Sequence, residues 1–208
     1  MNTSIFHRLL CVSGLVLLVP VCLLLLFILG RIFFADRITI RGHSMEPVFC
    51  EGDRVWVGKL VLHTRGVKAG DIVVYHHPAK DYFVCKRCIA APGDSVRYAR
   101  SAADTTLYSG IGYAPAKGDS VALDSLAFRH YAHAIAFETG SDPVWIEGAA
   151  FLGGKRLEGY RFTRDWYYFL GDNRDHSVDS RHYGLNPKDK LLGVVMVRPL
   201  VSYPIDEQ

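Results

Sequence analysis

The chain has 208 residues, of which half are hydrophobic and 12% are aromatic, and its formal net charge is +3. This length suits one compact domain, alone or with an anchor, and the hydrophobic content excludes a disordered chain. The charge is small and no basic stripe with interleaved aromatic residues is present in the sequence. We therefore expect no nucleic acid among its partners.

The first element in chain order is an apolar segment. No residue from Leu9 to Gly30 is charged, and at about 1.5 Å per helical residue such a segment crosses a hydrocarbon core of roughly 30 Å. A cleaved secretory signal has a shorter apolar core of about 7–15 residues that ends at small residues. Here Gly30 leads into an arginine and three bulky residues instead. We predict an uncleaved transmembrane helix over 9–30, preceded by a short N-terminal tail over 1–8.

The charges that flank this helix bear on its orientation. Arg8 precedes the segment, whereas Arg31, Arg37 and Arg41 follow it. Because cytoplasmic flanks carry more positive charge, counting alone places the large domain in the cytoplasm. The difference in charge between the two flanks is small, and a cytoplasmic domain conflicts with the function that the motifs below imply.

Beyond the anchor the sequence is typical of β structure. Short runs rich in Val, Ile, Tyr and Phe are bounded by Gly-Asp pairs, which suit tight turns because Gly accepts positive φ and Asp bonds to nearby backbone. Only segment 125–136 is equally compatible with a short helix and with a strand. We predict an all-β catalytic domain, a barrel-like β-sandwich formed by 31–96 and 166–208. A smaller inserted β-rich subdomain occupies 97–165.

Three segments contain the residue types that hydrolytic chemistry needs. The first centres on Ser44, which a Met-Glu-Pro sequence follows. The second centres on Lys86, which lies within Cys-Lys-Arg-Cys and precedes Pro-Gly-Asp. The third runs from Gly171 to Arg181 and is dense in charges and hydroxyl groups. Taken singly, the serine is also compatible with a turn and the third segment with a loop held by Asp–Arg pairs.

Lys86 lies in a mostly apolar segment whose alternation predicts a strand. Tyr82, Val84 and Cys88 share its face, and Arg87 points the opposite way. Burial disfavours a charged ammonium and lowers the pKa of a lysine, which can then act as a general base. The alternative is an ordinary strand lysine that forms a salt bridge or extends its amine to solvent.

Cys85 and Cys88 form a C-x-x-C pair that invites a zinc or redox interpretation. Residues three apart in a strand point to opposite faces, so the two sulfur atoms are separated. A zinc site needs four ligands, and the sequence has no second C-x-x-C. We therefore predict no metal and no cofactor.

These three segments, in this order behind an apolar anchor, resemble type I signal peptidases. The resemblance covers the anchor and most of 38–94 and 166–198. It implies that Ser44 attacks the scissile carbonyl and that neutral Lys86 takes its proton. It also implies that Ser177 hydrogen-bonds and orients Lys86, while Asp179 and Arg181 brace the loop.

The same resemblance implies a substrate and a location. The family has an all-β protease domain with an inserted subdomain, and it cuts secretory precursors after small residues, as in Ala-x-Ala. We expect signal-peptide-bearing precursor proteins and the lipid bilayer as partners. The expected location is the bacterial inner membrane, single-pass, with the catalytic domain on the outer face. The apolar substrate pockets are expected to be lined by Ile38, Ile40, Met45, Phe49, Val84 and Cys85.

Other interpretations stay open from the sequence. Soluble self-cleaving regulators of the LexA kind also use serine and lysine, although the anchor and the third segment disfavour that class. A serine–histidine pair is disfavoured because His43 and His176 are direct neighbours of Ser44 and Ser177, and neighbours in an extended chain face apart. Family members of the endoplasmic reticulum have histidine at the position of Lys86. The lysine of this chain therefore leaves two types open, the bacterial and the mitochondrial inner-membrane enzyme. A membrane-tethered scaffold that binds peptides without cutting them is the remaining alternative.

Overall fold

The computed structural model describes residues 16, 18–30, 35–77, 80–98 and 110–197. Residues 18–30 form helix α1. Over these described ranges no helix meets the length and apolarity that a membrane span requires. The predicted tail over 1–8 and the first half of the predicted anchor lie outside the described residues.

The strands and helices that follow α1 are short. The strands are β1 (Ala35–Thr39), β2 (Arg54–Gly58), β3 (Ile72–His76), β4 (Phe83–Ala90), β5 (Ser95–Tyr98), β6 (Gly110–Tyr113), β7 (Ser120–Ala122), β8 (Val144–Ile146), β9 (Ala149–Leu152), β10 (Lys155–Leu157), β11 (Gly159–Arg161), β12 (Trp166–Leu170), β13 (Asn186–Pro187) and β14 (Leu191–Val197). The helices are α2 (Val61–Thr64), α3 (Ser125–Thr139) and α4 (Ser180–Tyr183), with 3-10 turns at Arg174–His176 and Lys188–Lys190.

The main sheet has seven strands in the order β1-β2-β14-β3-β4-β12-β13. Its neighbouring strands are antiparallel throughout. Alternation along β3 gives the sheet two apolar faces, because Val73 and Tyr75 belong to one core cluster while Ile72 and Val74 belong to another. The mainly β architecture predicted from the sequence is therefore confirmed.

The inserted segment contains a helix of 15 residues, so its description as β-rich was incomplete. Helix α3 begins at Asp124, whose carboxylate accepts hydrogen bonds from the N–H groups of Leu126 and Ala127 at 2.9 and 2.7 Å. It ends at Gly140, which has a φ of 69°. Both are typical helix boundaries. Segment 125–136, which the sequence left undecided, is thus helical.

Helix α3 packs on the main sheet rather than standing apart from it. Its buried residues Tyr131 and Ile135 belong to the same apolar cluster as Trp166 and Tyr168 of β12. The short sheets β10-β9-β8, β11-β7 and β5-β6 complete this part of the chain. A shared core means that the insert and the sheet support one another, while the boundaries at 97 and 165 stay a prediction.

Candidate active site

Ser44 lies in the turn that connects β1 to β2. The neck of this turn is closed by backbone hydrogen bonds from Ile40 N to Asp53 O at 2.8 Å and from Gly52 N to Ile40 O at 3.0 Å. Met45 is 1% exposed and packs in the core beneath the turn. A buried neighbour of this kind anchors the turn and leaves the half-buried Ser44 side chain at its surface.

Lys86 occupies the middle of β4, on the face it shares with Val84 and Cys88. Its strand partner is Val73, and only 4% of its surface is exposed. A hydrogen bond joins Lys86 Nζ and Ser44 Oγ across 42 positions of sequence. The strand alternation predicted from the sequence is confirmed, and it directs this amine into the protein.

Burial determines the protonation of this amine. Desolvation lowers the pKa of Lys86 below its ordinary value, while the negative charges of the Asp179 and Asp172 carboxylates act in the opposite direction. Since burial is the larger effect, a larger fraction of this lysine is neutral at a given pH than of an exposed lysine. A neutral Nζ next to a hydroxyl can accept its proton.

Asp179 organises the third segment. It is fully buried, and its carboxylate accepts hydrogen bonds from Ser177 Oγ at 2.7 Å, Gly171 N at 3.0 Å and Arg181 Nε at 2.9 Å. Burial alone would raise the pKa of this carboxyl group, but these hydrogen bonds, led by that of Arg181, lower it below its ordinary value. Asp179 is also the N-cap of α4. The carboxylate therefore stays ionised and holds the loop.

The structure places the Ser177 hydroxyl differently from the expectation. Its hydrogen bond goes to Asp179, and no hydrogen bond between Ser177 and Lys86 is present among the described residues. An ionised carboxylate is a stronger acceptor than an amine, which accounts for this choice. Ser177 is buried, and the Arg181 guanidinium also donates to the carbonyl of Arg174 at 2.5 Å. Asp179 and Arg181 thus hold each other and the loop, while their effect on catalysis stays a prediction.

Two residues that the sequence analysis did not single out connect this loop to the Ser44 turn. The Asn173 backbone N–H donates to the carbonyl of Ser44 at 3.1 Å, and its side-chain Nδ2 donates to the carbonyl of His43 at 3.0 Å. Gly171 lies so close that an added Cβ would be 2.5 Å from Ser44 O and from Ser177 Cβ. The Gly-Asp-Asn run at the start of the third segment was the available signal for both.

A cleft of about 560 Å³ adjoins Ser44 and Lys86. Its apolar lining includes five of the six predicted pocket residues, which are Ile38, Ile40, Met45, Val84 and Cys85. Thr39, Arg41, Val74, Tyr82 and Phe83 complete the lining.

Phe49, the sixth predicted pocket residue, does not line this cleft. It is 1% exposed and packs in the core cluster with Val55, Val57 and Val74. Within the turn, the Phe49 N–H donates to the Met45 carbonyl at 3.0 Å, and the Phe49 ring packs with apolar residues of β2. This prediction is corrected: Phe49 supports the turn from below.

The two cysteines of the C-x-x-C pair lie on opposite faces of β4, as predicted. Cys88 belongs to the cluster that contains Val73, whereas Cys85 packs against the cluster that contains Val74. Both thiols are free, and burial raises the pKa of each to about 12. Both are therefore neutral near pH 7, and Cys85 presents a small apolar group to the cleft.

A hydroxyl that is hydrogen-bonded to a buried amine beside an apolar cleft is an arrangement in which the amine can take the hydroxyl proton during attack on a bound carbonyl group. The chain belongs to the signal peptidase family: the family model described as signal peptidase, peptidase S26, matches residues 12–200. It is accordingly a type I signal peptidase by family and a hydrolase of peptide bonds by class, as the three sequence segments predicted.

Two relatives in sequence agree with this assignment. Signal peptidase IB of Staphylococcus aureus strain N315 is 31% identical over 180 residues, which cover 86% of this chain and 85% of the relative. Signal peptidase I P of Bacillus subtilis subsp. natto is 28% identical over 185 residues, which cover 88% and 85% of the two chains. The crystal structure of a signal peptidase I from Enterococcus faecalis V583 matches 62% of this chain and 97% of its own, with 25% identity and a TM-score of 0.31.

Proposed function

We propose that this enzyme removes signal peptides from exported precursor proteins by cutting after small residues, with Ser44 as nucleophile and Lys86 as general base. The observation that carries the proposal is the hydrogen bond between Lys86 Nζ and Ser44 Oγ at the cleft. Membership in the signal peptidase family supports the substrate class.

The proposed reaction proceeds in two proton-balanced steps. Neutral Lys86 Nζ takes the hydroxyl proton of Ser44 as Oγ attacks the scissile carbonyl carbon, and the Ser44 backbone N–H stabilises the resulting oxyanion. The lysine then gives this proton to the leaving amine nitrogen as the C–N bond breaks, which leaves an ester on Ser44. Water attacks that ester while Lys86 takes its proton, and the acid product departs as the serine regains its hydrogen.

Three neighbouring residues are proposed as positioning residues. Asp179 and Arg181 hold the third segment in place, and Ser177 packs its Asp179-bound hydroxyl against Gly171. Because Gly171 also contacts the Ser44 carbonyl, a shift of this loop moves the nucleophile. We propose that these residues fix the distance between Ser44 and Lys86 rather than take part in proton transfer.

The sheet leaves room for an extended substrate between β1 and β4. β1 is an edge strand of the described sheet, and β12 pairs with β4 only from Arg87 onward. Residues 83–86 therefore have an open strand edge on the β12 side, where a peptide can add as a further strand. Small pockets select small residues by exclusion, although each extra methylene changes the binding free energy by only about 1–3 kcal/mol.

We further propose that residues 9–30 anchor the enzyme in the bilayer as a single span. The uncharged run in the sequence supports this anchor, and the bacterial relatives support the inner membrane. The catalytic domain is proposed to face outward, where the carboxyl end of a translocated signal peptide emerges. Protease protection of sealed vesicles tests the orientation, because an inward-facing domain resists external protease.

Precursor cleavage in detergent tests the chemistry. Ser44→Ala, Lys86→Ala and Lys86→Arg are each expected to lose activity by about 100-fold or more, since proton transfer by a positioned base contributes about 10²–10⁴-fold. Arginine fails because a guanidinium does not release its proton in proteins. The substrate is a precursor with an Ala-x-Ala site, and thermal unfolding verifies that each variant is folded.

Matched controls make this test specific. Ser120→Ala and Lys68→Arg change exposed residues outside the cleft and are expected to cut at the wild-type rate. Wild-type cleavage by Ser44→Ala would show that the nucleophile is misassigned. Appreciable cleavage by Lys86→Arg would remove lysine as the base.

A further inference from the structure

The lining of the cleft contains two basic side chains and no acidic one within the part of the chain that the structure describes. Its two basic side chains are Lys86, which is buried and hydrogen-bonded to Ser44, and Arg41, which is exposed three positions before Ser44. Arg41 has no ion-pair partner among the described residues. A guanidinium in this state presents several N–H donors to whatever enters the cleft.

The acidic side chains closest in sequence are occupied elsewhere. Asp36 of β1 pairs with Lys59 at 2.7 Å. The Glu46 carboxylate lies 2.7 Å from His43 Nδ1, and the Glu51 carboxylate lies 3.6 Å from Nε2 of the same histidine. Glu46 and Glu51 thus share one histidine, and the Asp53 carboxylate accepts a hydrogen bond from Cys50 N at 2.8 Å. None of these carboxylates pairs with the cleft arginine, so its charge is left for a ligand.

The strand geometry indicates which part of a substrate reaches this arginine. Ile38 of β1 and Ile40 just after it form an inner row, and Ile40 is only 4% exposed, whereas Thr39 and Arg41 form an exposed outer row. An extended peptide laid along β1 also alternates its side chains between two sides. If its two small residues face the inner row, the residue between them lies on the side of the outer row.

We propose that Arg41 binds a carboxylate on the substrate residue that lies between the two small residues, so that an acidic middle residue is preferred. This inference rests on the proposed function, because it takes the Ala-x-Ala peptide as the ligand. Arginine suits the task because its planar donors match a carboxylate in two-point geometry.

Three precursor peptides that differ only in this middle residue, Glu, Gln or Lys, test the proposal. The measurement is kcat/KM in non-ionic detergent at low ionic strength for the wild type, Arg41→Gln and Arg41→Glu. The wild type is expected to prefer Glu over Lys by about fivefold, the upper range for an exposed ion pair. The preference is expected to vanish in Arg41→Gln and to reverse in Arg41→Glu.

Arg37→Gln is the matched control. Arg37 is an exposed arginine of β1, four positions before Arg41, and it does not line the cleft. This variant removes the same charge and is expected to keep the wild-type preference. An equal loss of preference in Arg37→Gln, or a preference that survives in Arg41→Gln, overturns the inference.

Two further outcomes are informative. One shows whether Arg41 binds a substrate carboxylate or a lipid headgroup, and the other shows whether the proposed function itself fails. If the wild type shows no preference in detergent and needs Arg41 only for cleavage on anionic vesicles, the arginine binds a lipid headgroup and the inference is wrong. If the Gln peptide is not cut by the wild type, or is still cut by Ser44→Ala, the proposed function itself fails. Cleavage of the Gln peptide with no charge preference leaves the proposed function intact and removes only the role of Arg41.

Discussion

Arg87 and Asp172 form a two-point ion pair in which Nε and Nη2 each lie 2.7 Å from a different carboxylate oxygen. The pair joins β4 to the segment after β12, on the face of β4 opposite Lys86. Arg87 also donates to the carbonyl of Gly70 at 2.9 Å. The residue next to the proposed base therefore fixes the third segment to the sheet.

This pair makes the pH dependence of cleavage testable. Asp172 raises the pKa of Lys86 through its negative charge, so Asp172→Asn is expected to lower that pKa and to leave an unpaired Arg87 cation that lowers it further. In the proposed mechanism activity requires neutral Lys86, so it rises with pH through the pKa of that lysine. The acid limb of the kcat/KM profile is therefore expected to move to lower pH.

Asp175→Asn is the control for this shift, because Asp175 is exposed in the same segment and is not among the charges that act on Lys86. Its acid limb is expected to coincide with that of the wild type. An upward shift in Asp172→Asn, or an equal shift in both variants, would contradict this account of the electrostatics.

Gly171→Ala is expected to reduce cleavage because a Cβ has no room at this position. The added carbon would lie 2.5 Å from the Ser44 carbonyl oxygen, so the serine turn or the Ser177 loop must move. A displacement of about 1 Å in catalytic geometry costs roughly 100-fold in rate. The measurement is kcat with the Ala-x-Ala precursor, together with the melting temperature.

Gly193→Ala provides the comparison, since its Cβ would lie 2.6 Å from Gly58 O in the β2–β14 pair. Both substitutions are expected to lower the melting temperature, but only Gly171→Ala is expected to lower kcat of the folded enzyme. Equal loss of kcat in both would mean that general strain, not contact with Ser44, is responsible.

Tyr75 and Tyr183 are expected to be energetically coupled. Their hydroxyl oxygens are 2.5 Å apart, and they connect β3 to the last residue of α4, the helix that Asp179 caps. Phe at one position leaves the other hydroxyl without its partner, at a cost of about 1–3 kcal/mol. The double variant Tyr75→Phe/Tyr183→Phe removes both hydroxyl groups and is expected to lose less than the sum. Denaturant unfolding of the four proteins measures the coupling, and additive losses would show that the hydroxyl pair contributes nothing.

Glu138 is expected to be a stability determinant that does not affect cleavage directly. Its carboxylate, at the end of α3, accepts hydrogen bonds from Trp166 Nε1 at 2.8 Å, Thr163 N at 2.8 Å, Tyr160 OH at 3.0 Å and Arg164 N at 3.1 Å. Glu138→Gln turns an amide NH₂ toward some of these donors, so the free energy of unfolding is expected to fall by about 2–3 kcal/mol.

Exposed Glu158→Gln, in the same insert, is the control and is expected to unfold like the wild type. Below the melting temperature, kcat/KM of Glu138→Gln is expected to stay near the wild-type value. An unchanged free energy of unfolding would show that the glutamate does not hold α3 to β12.

Local patterns in the sequence determined which residues could carry the chemistry. The alternation around Lys86 predicted a strand but left open whether the lysine is buried or reaches solvent. The separated faces of Cys85 and Cys88 followed from the same alternation, and the third segment was identified by its density of charges. The same kind of evidence was indecisive for 125–136, because an Asp cap and a terminal Gly do not by themselves exclude a strand. Periodicity reports which face a residue occupies and nothing about what lies opposite that face.

Only the tertiary structure decided which distant groups meet. Ser44 and Lys86 are hydrogen-bonded although 42 positions separate them. They meet because β2 and β14 lie between β1 and β3 in the sheet, and β3 pairs with β4 so that Val73 lies opposite Lys86. Folding likewise decides that the Ser177 hydroxyl donates to Asp179 and that Phe49 packs in the core. In both cases the partner, a carboxylate or an apolar cluster, comes close only in the folded chain. Residue type and spacing specify the chemical groups, whereas strand register and packing specify their partners.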